Sequence, residues 1–431
     1  MGYVFLLEVF NSRNRPNDLF RRPGMVENVK ELLRAHAGLE REVYLDNENS
    51  TPVPDEIVEA MLPYYNARAY GNPTLTHKPG WEAFEVLMES AQKIASSIGC
   101  KTLEEINFTP GETEANNLAL MGTALAAKDS GRKIVISEIE PINVLNVAEM
   151  LQKTGFTLTK IRVDPEGFLN LEQLKEAVDK ETILVSLSAV NHEIGTVQPI
   201  IEAAEIVNDR NPNTVFHTDA SDAYGRIPFG VQQAGVDLAT LSSYKILGPR
   251  GTGALYVKEH VEVEKILEGQ IGTQRLWPGV ENTPLIVGFV KASELMFRDF
   301  EGNTRRMRKL RDKLMNGIMN ETSDVLLNGP RGDKRSPDNA NISFLRCEGE
   351  ALTIELSLSG VYVSSGSACS RRLLQPSHVL VATGRKFDQA HGSILMKVTR
   401  LQTEEDINYA LEVIPRAVQR IRGITGSTGV E

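Results

Sequence analysis

Lys245 follows the apolar, β-branched run DLATLSS in the segment LSSYKILGPRG, and Asp219 closes a similar run in TVFHTDA. If both runs are strands of one parallel sheet, their ends bring an amine and a carboxylate to the same sheet edge. That pair suits pyridoxal 5′-phosphate (PLP). A lysine amine there can condense with the cofactor's aldehyde, while an aspartate facing the pyridine nitrogen keeps the ring protonated and effective as an electron sink. A place for the phosphate lies farther upstream. INFTPGETEANNLAL (106–120) reads as strand, glycine turn and helix, with Thr113 where the helix begins. Free N–H groups and the positive dipole end of such a helix favour an anion. Ser242 is close enough in sequence to Lys245 to reach the same phosphate.

A second nucleophile stands near the C-terminal end. Cys369 sits in VSSGSACSRRLLQPS, a loop rich in serine and glycine, with Arg371 and Arg372 nearby to favour its thiolate. The other two cysteines, Cys100 and Cys347, fall in strand or helix-end contexts and are expected to be buried small hydrophobes.

Elements of the right kind surround these residues. KIVISEI (133–139), TILVSLSAV (182–190), TVFHTDA (214–220), DLATLSS (237–243) and GALYV (253–257) have strand length and mostly look buried on both faces. Helical patterns such as NVLNVAEMLQKTG and LEQLKEAVDK lie between the earlier ones, the alternation expected of crossover units around a mostly parallel sheet. A long helix is expected near 285–299. The basic stretch NTRRMRKLRDKLMNGIM after it reads as a helix whose charges form a solvated face. The remainder reads as a smaller α+β domain. The expected division is an N-terminal extension (1–44) packing with the small domain, a large cofactor-binding domain (45–298), and a small C-terminal domain (299–431) carrying the cysteine loop.

Composition narrows the function classes. The chain has 431 residues, is 41% hydrophobic and carries a formal net charge of −10. This supports a two-domain globular protein and gives no general basic field for nucleic acid or anionic membranes. Three cysteines without a CxxC pair suit neither a disulfide framework nor a closed zinc site, and a reducing, cytoplasmic setting is expected. The apolar run Tyr3–Phe10 is interrupted by Glu8 and has no basic segment before it, so neither a signal peptide nor a membrane span is expected.

From Tyr44 onward the sequence resembles the cysteine desulfurases, fold type I PLP enzymes of the class V aminotransferase group. The resemblance is carried, in order, by YLDNENSTPVPDEIVEAMLPYY, GNPTLTHKPG, FTPGETEANNLAL, SAVNHEIGTVQPI, HTDAS, SSYKILGPRGTGALYV and SSGSACS. It implies Lys245 as the cofactor's covalent anchor, Asp219 as partner of the pyridine nitrogen, and Asn191 and Asp222 near the ring's 3-hydroxyl side. It also implies Glu112, Thr113 and Ser242 as a phosphate cradle, and Cys369 as the thiol that takes sulfur from L-cysteine, releasing alanine. By the same resemblance the protein is a homodimer that passes sulfur to an acceptor such as an iron-sulfur scaffold or a tRNA-thiolation protein.

The chain departs from the family pattern at several of these positions. Pro141 stands where a ring-stacking histidine is usual, and proline cannot move a proton. Asp222 replaces a glutamine and Tyr244 a histidine. Trp277 and Val280 replace an arginine and a threonine that reach the neighbouring subunit's cofactor. Leu395 occupies the place of an arginine that pairs with the substrate carboxylate, with Arg400 a few residues on. These changes leave open two other readings: a PLP-dependent lyase or transferase acting on another amino acid or thiol, and a partner-binding paralogue with weak catalysis.

Overall fold

The computed structural model describes residues 36, 38–366 and 376–427. Cys369, Arg371 and Arg372, and the N-terminal residues 1–35, lie outside the described residues. The chain enters through β1 (Val43–Tyr44) and then builds β2 (Ile106–Thr109), β3 (Lys133–Ser137), β4 (Thr157–Ile161), β5 (Thr182–Ser186), β6 (Val215–Asp219), β7 (Leu238–Ser242) and β8 (Gly253–Val257). It continues through β9 (Val325–Leu327), β10 (Asn339–Phe344), β11 (Val361–Tyr362), β12 (Ser364–Ser365) and β13 (Ser393–Lys397).

Strands β2 to β8 form one sheet in the order β2-β8-β7-β6-β5-β3-β4. Pairing is parallel from β7 through β6, β5 and β3 to β4, while β8 runs antiparallel to both β2 and β7. The central strands are buried along nearly their whole length, which is why they read as continuous apolar runs rather than alternating ones. The strands are shorter than their apolar runs. β5 stops at Ser186, and Leu187–Val190 continue as buried loop toward the sheet edge. β4, TLTKI, is the exposed edge strand, and its polar composition hid it from a reading based on apolar runs.

Helices cover both faces. Glu112–Ala126 buries Ala115, Leu118, Ala119, Leu120 and Ala124, and Ile142–Lys153 packs beside it through Val144, Val147, Ala148 and Leu151. On the opposite face, Lys78–Ser97 and Thr283–Phe297 pack against each other over the largest apolar core. Asn282 caps the latter by accepting from the Leu285 N–H at 3.3 Å, and Pro284 fits its first turn because no intrahelical donor is needed there.

A separate apolar core joins β10 and β13 to the helices Phe300–Glu321, Gly349–Leu358 and Glu404–Ser427. The basic helix Phe300–Glu321 keeps most of its charges outward, but Arg311 is an exception to the expected solvated face. It is fully buried, and its guanidinium donates to the carbonyls of Arg335 (3.2 Å) and Ser336 (2.9 Å). The loop before β10 turns its carbonyls inward, and only a long cationic side chain from this helix reaches them. Ahead of the large sheet, β1 pairs in parallel with β11, Arg41 ion-pairs with Asp406 at 2.8 Å, and His36 lies 3.2 Å from Ser357. Among the described residues no helix is long and apolar enough to cross a membrane.

Candidate active site

Lys245 is delivered by a tight turn. β7 ends at Ser242, the single 3-10 turn Tyr244–Ile246 follows, and Leu247 closes it with a left-handed φ of 70°. A leucine adopts that conformation only where its surroundings force it. Here the Gly248 N–H closes onto the Ser243 carbonyl at 3.0 Å, and Thr51 Oγ1 and Arg226 Nη2 bind the carbonyls of Tyr244 (2.8 Å) and Lys245 (2.6 Å). The backbone around the amine is therefore held from three sides, and the Lys245 side chain is 1% exposed.

Its Nζ donates to Glu48 and to Asp222 (3.1 Å). A second lysine completes the group. Lys397 Nζ lies 2.5 Å from Asp222 Oδ1 and 2.5 Å from Glu48 Oε2, so two amines and two carboxylates form a buried quartet. Burial alone would lower the Lys245 pKa, but Asp222, Glu48 and their neighbours hold it well above the ordinary amine value. Burial would likewise raise Asp222; Lys245, Lys397 and Arg226 outweigh it and keep that carboxyl well below its usual range. The carboxylate that replaces the family's glutamine is thus paired twice, which removes the desolvation problem a lone acid would have there. For Glu48 burial wins, and its pKa is raised.

Asp219 ends β6, the neighbour of β7, with its carboxylate taking hydrogen bonds from Asn116 Nδ2 (2.8 Å) and the Ser221 N–H (2.9 Å). Burial raises its pKa against those bonds. Asn116 comes from the helix Glu112–Ala126, so the acid is tied to the same element whose N-terminus faces the sheet edge. Glu112, at the start of that helix, accepts from Asn143 at 3.2 Å; burial pushes its carboxyl up to about 7, and the charges of Lys245, Asp219, Asp222 and Glu48 all act on it. These groups therefore share one locale. The Thr113 side chain is exposed at the helix start. Asn191 uses its side chain to tie its loop to the one after β3, donating to the Ile139 carbonyl (2.9 Å) and accepting from the N–H groups of Glu193 and Ile194.

The residues present fit PLP. The Oγ of Ser242 is buried without a hydrogen-bond partner, as a donor and acceptor awaiting a polar group would be. The backbone is closely packed at the same place: a side chain on Gly253 would meet the Gly111 backbone at 3.0 Å and the Leu241 carbonyl at 2.7 Å. A buried amine and an acid at the ends of neighbouring strands, with the unpartnered Ser242 hydroxyl near a helix N-terminus, match the aldehyde, pyridine and phosphate ends of that cofactor. Trp277 and Val280 line a small cavity of about 180 Å³ with Thr109, Pro110 and Thr252, beside the same helix start.

Two residues of the quartet, Glu48 and Lys397, were not picked out from sequence. Glu48 is placed by the β1 segment: Asn47 Nδ2 donates to the Lys397 carbonyl at 2.7 Å, and the Lys397 N–H donates to the Leu45 carbonyl at 2.8 Å. Lys397 carried a detectable signal, a lysine on an otherwise apolar strand. In β13, Ile394, Met396 and Val398 enter the small core, whereas Leu395 and Lys397 take the alternate face. Pro141 caps the helix Ile142–Lys153, and beside it Glu140 accepts from the Ser188 N–H (3.1 Å) and is pushed by burial up to about 8. Cys100 is half-buried and Cys347 buried, and burial raises both thiols.

Residues 43–409 match the aminotransferase class-V family model. The chain is 41% identical over 382 residues to the cysteine desulfurase IscS 1 of Archaeoglobus fulgidus, covering 89% of this chain and 98% of that protein. It is equally 41% identical over 387 residues to the cysteine desulfurase IscS of Dictyoglomus turgidum, covering 90% and 97%. Among solved structures, a NifS-like protein superposes with a TM-score of 0.82 at 33% identity, over 88% of this chain and all of that one. With the sheet order, the lysine after β7 and the acid after β6 in place, the chain belongs to the aminotransferase class-V family.

Proposed function

We propose that this chain is a PLP-dependent cysteine desulfurase that converts L-cysteine to alanine and carries the sulfur away on Cys369. The observation that carries the reading is the convergence of Lys245 and Asp219 at the ends of neighbouring strands, both buried, in a chain about 40% identical to curated cysteine desulfurases over most of its length. Bound PLP supplies an electron sink for bonds around the substrate's α-carbon.

The chain's own residues then have defined tasks. Asp219, fixed by Asn116 and Ser221, keeps a negative charge against the ring nitrogen. The helix Glu112–Ala126, with Ser242, anchors the phosphate by backbone N–H groups and a hydroxyl. Lys245 holds the cofactor covalently and, once displaced, is a base of suitable reach to move the α-proton. The Cys369 thiolate attacks the substrate sulfur. The carbon–sulfur bond breaks, the carbon takes a proton to become the methyl group of alanine, and the sulfur leaves as an enzyme persulfide, so no outside oxidant or reductant is required. Burial of the Lys245 side chain limits the access of bulk water to the reacting carbon.

A homodimer fits this reading. Tyr65, Tyr70, Trp81, Phe84 and Ile271 stand exposed, large apolar side chains of the kind a partner subunit would cover. A sulfur-acceptor protein, such as an iron-sulfur scaffold, would receive the persulfide. The test is direct: PLP-loaded protein given L-cysteine and a thiol reductant should release alanine and sulfide in equal amounts, and Cys369→Ala should abolish both. Alanine formation that persists without Cys369, or none from the unaltered protein, contradicts the proposal.

A further inference from the structure

Leu395 stands where the family resemblance expects an arginine for the substrate carboxylate, and Arg400 and Lys397 are the nearby cations on the same segment. Arg400 has buried Nε and Nη2 atoms, but the cavity it lines with Lys245, Leu247, Met296 and Met307 measures about 20 Å³, room for about one water. Lys397 is better placed. It lies two residues beyond Leu395 on the same face of β13, and its Nζ stands among the acids that hold the Lys245 amine. An ammonium carries three N–H donors, and two acid neighbours leave at least one for a ligand.

Glu48 faces it. Its Oε2 is buried and in ion-pair range of Lys397 but accepts no hydrogen bond, and its side chain is 12% exposed against 1% for each lysine. Glu48 therefore forms the open side of the quartet. When Lys245 is engaged with a carbonyl group its nitrogen keeps at most one N–H, so it can no longer serve both acids. The carboxylates are then short of a cationic donor, while Lys397 has an N–H to give.

We infer that Lys397 binds the α-carboxylate of the amino-acid substrate and Glu48 its α-ammonium, so that a lysine on β13 performs the selection usually left to position 395. This rests on the desulfurase reading and names the groups through which that site chooses a zwitterion. The matched charges also explain why Asp222 is tolerated: without it two lysines would share one carboxylate, and without Lys397 two carboxylates would share one amine.

The test uses PLP-loaded protein and two probes that have no sulfur to release and the same α-amine, L-alanine and L-alaninamide, with binding measured by calorimetry. The unaltered protein should prefer L-alanine. Lys397→Met should weaken L-alanine roughly tenfold to a hundredfold, the loss of one charged hydrogen-bonded contact, and leave L-alaninamide nearly unchanged. Lys397→Arg should keep most of the preference. The double variant Glu48→Gln, Lys397→Met preserves charge balance, so it reports the lost preference even where the single variant folds poorly. Equal loss for both probes, or a preference that survives in the double variant and disappears in Arg400→Met, overturns the assignment. Cofactor uptake separates the two claims: a protein that takes up no PLP refutes the desulfurase reading, whereas one that takes up PLP but shows no preference lost on changing Lys397 refutes only this inference.

Discussion

The two ends of the candidate cofactor site are built on opposite principles. At the amine end every charge is answered: Lys245 and Lys397 against Glu48 and Asp222, with Arg226 ion-paired to Asp338 next to them. At the phosphate end the Ser242 hydroxyl is buried with no partner, on a strand whose partner residue Gly253 abuts the Gly111 backbone at a helix start. A buried ion pair is self-contained, whereas buried unpaired hydroxyls are tolerated where a ligand completes them. The comparison teaches that anchoring a phosphate needs no rearrangement, while use of Lys245 requires its ion pairs to be exchanged for other partners.

The strongest way to break the comparison is to remove the amine. Lys245→Ala should abolish turnover and the visible cofactor band that borohydride bleaches, while the phosphate end still takes up PLP noncovalently, measurable by equilibrium dialysis. Asp219→Asn comes next, with a fall in turnover of roughly a hundredfold, about 2.7 kcal/mol of barrier, and little loss of bound cofactor. Asp222→Asn removes one partner from a buried pair and should lower stability by about 3 kcal/mol, read from urea unfolding at fixed pH. Retained stability would mean the quartet is less buried than it stands here. Ser242→Ala touches the other end and should weaken cofactor binding severalfold, about 1 kcal/mol, without altering the band position.

A further expected effect concerns pH. The folded state holds a proton on Glu140 up to about 8, against an ordinary value of 4.5. Between those values the native protein binds more protons than the unfolded chain, so stability falls as pH rises, with a slope of up to about 1.4 kcal/mol per pH unit from this group. Glu140→Gln removes that loss and should gain most, relative to the unaltered protein, at pH 8. A gain at pH 5 that equals the gain at pH 8 would contradict it.

Much of this architecture was legible because its signals are local. Central parallel strands are buried on both faces and show as apolar runs, and Lys245 and Asp219 follow such runs directly. β4 was not legible, because an exposed edge strand has no apolar run to betray it. Arg311 was misjudged for a related reason: besides the adjacent Asp312, its partners are carbonyls of the loop before β10, which leave no trace in the helix's own sequence. Glu48 and Lys397 depend on contacts across about 350 residues of chain, made only when the β1 segment is laced onto β13. Pro141, Asp222 and Leu395 were visible as departures from a pattern, but the structure supplies the reason Asp222 is stable, its two lysine partners.

The most direct measurement loads the full-length protein with PLP, reduces it with borohydride, digests it and locates the added mass. One phosphopyridoxyl group on the peptide containing Lys245, and none elsewhere, is the predicted result. A label distributed over surface lysines, or found on Lys397 while Lys245 stays unmodified, would show that the buried amine after β7 is not the group that holds the cofactor.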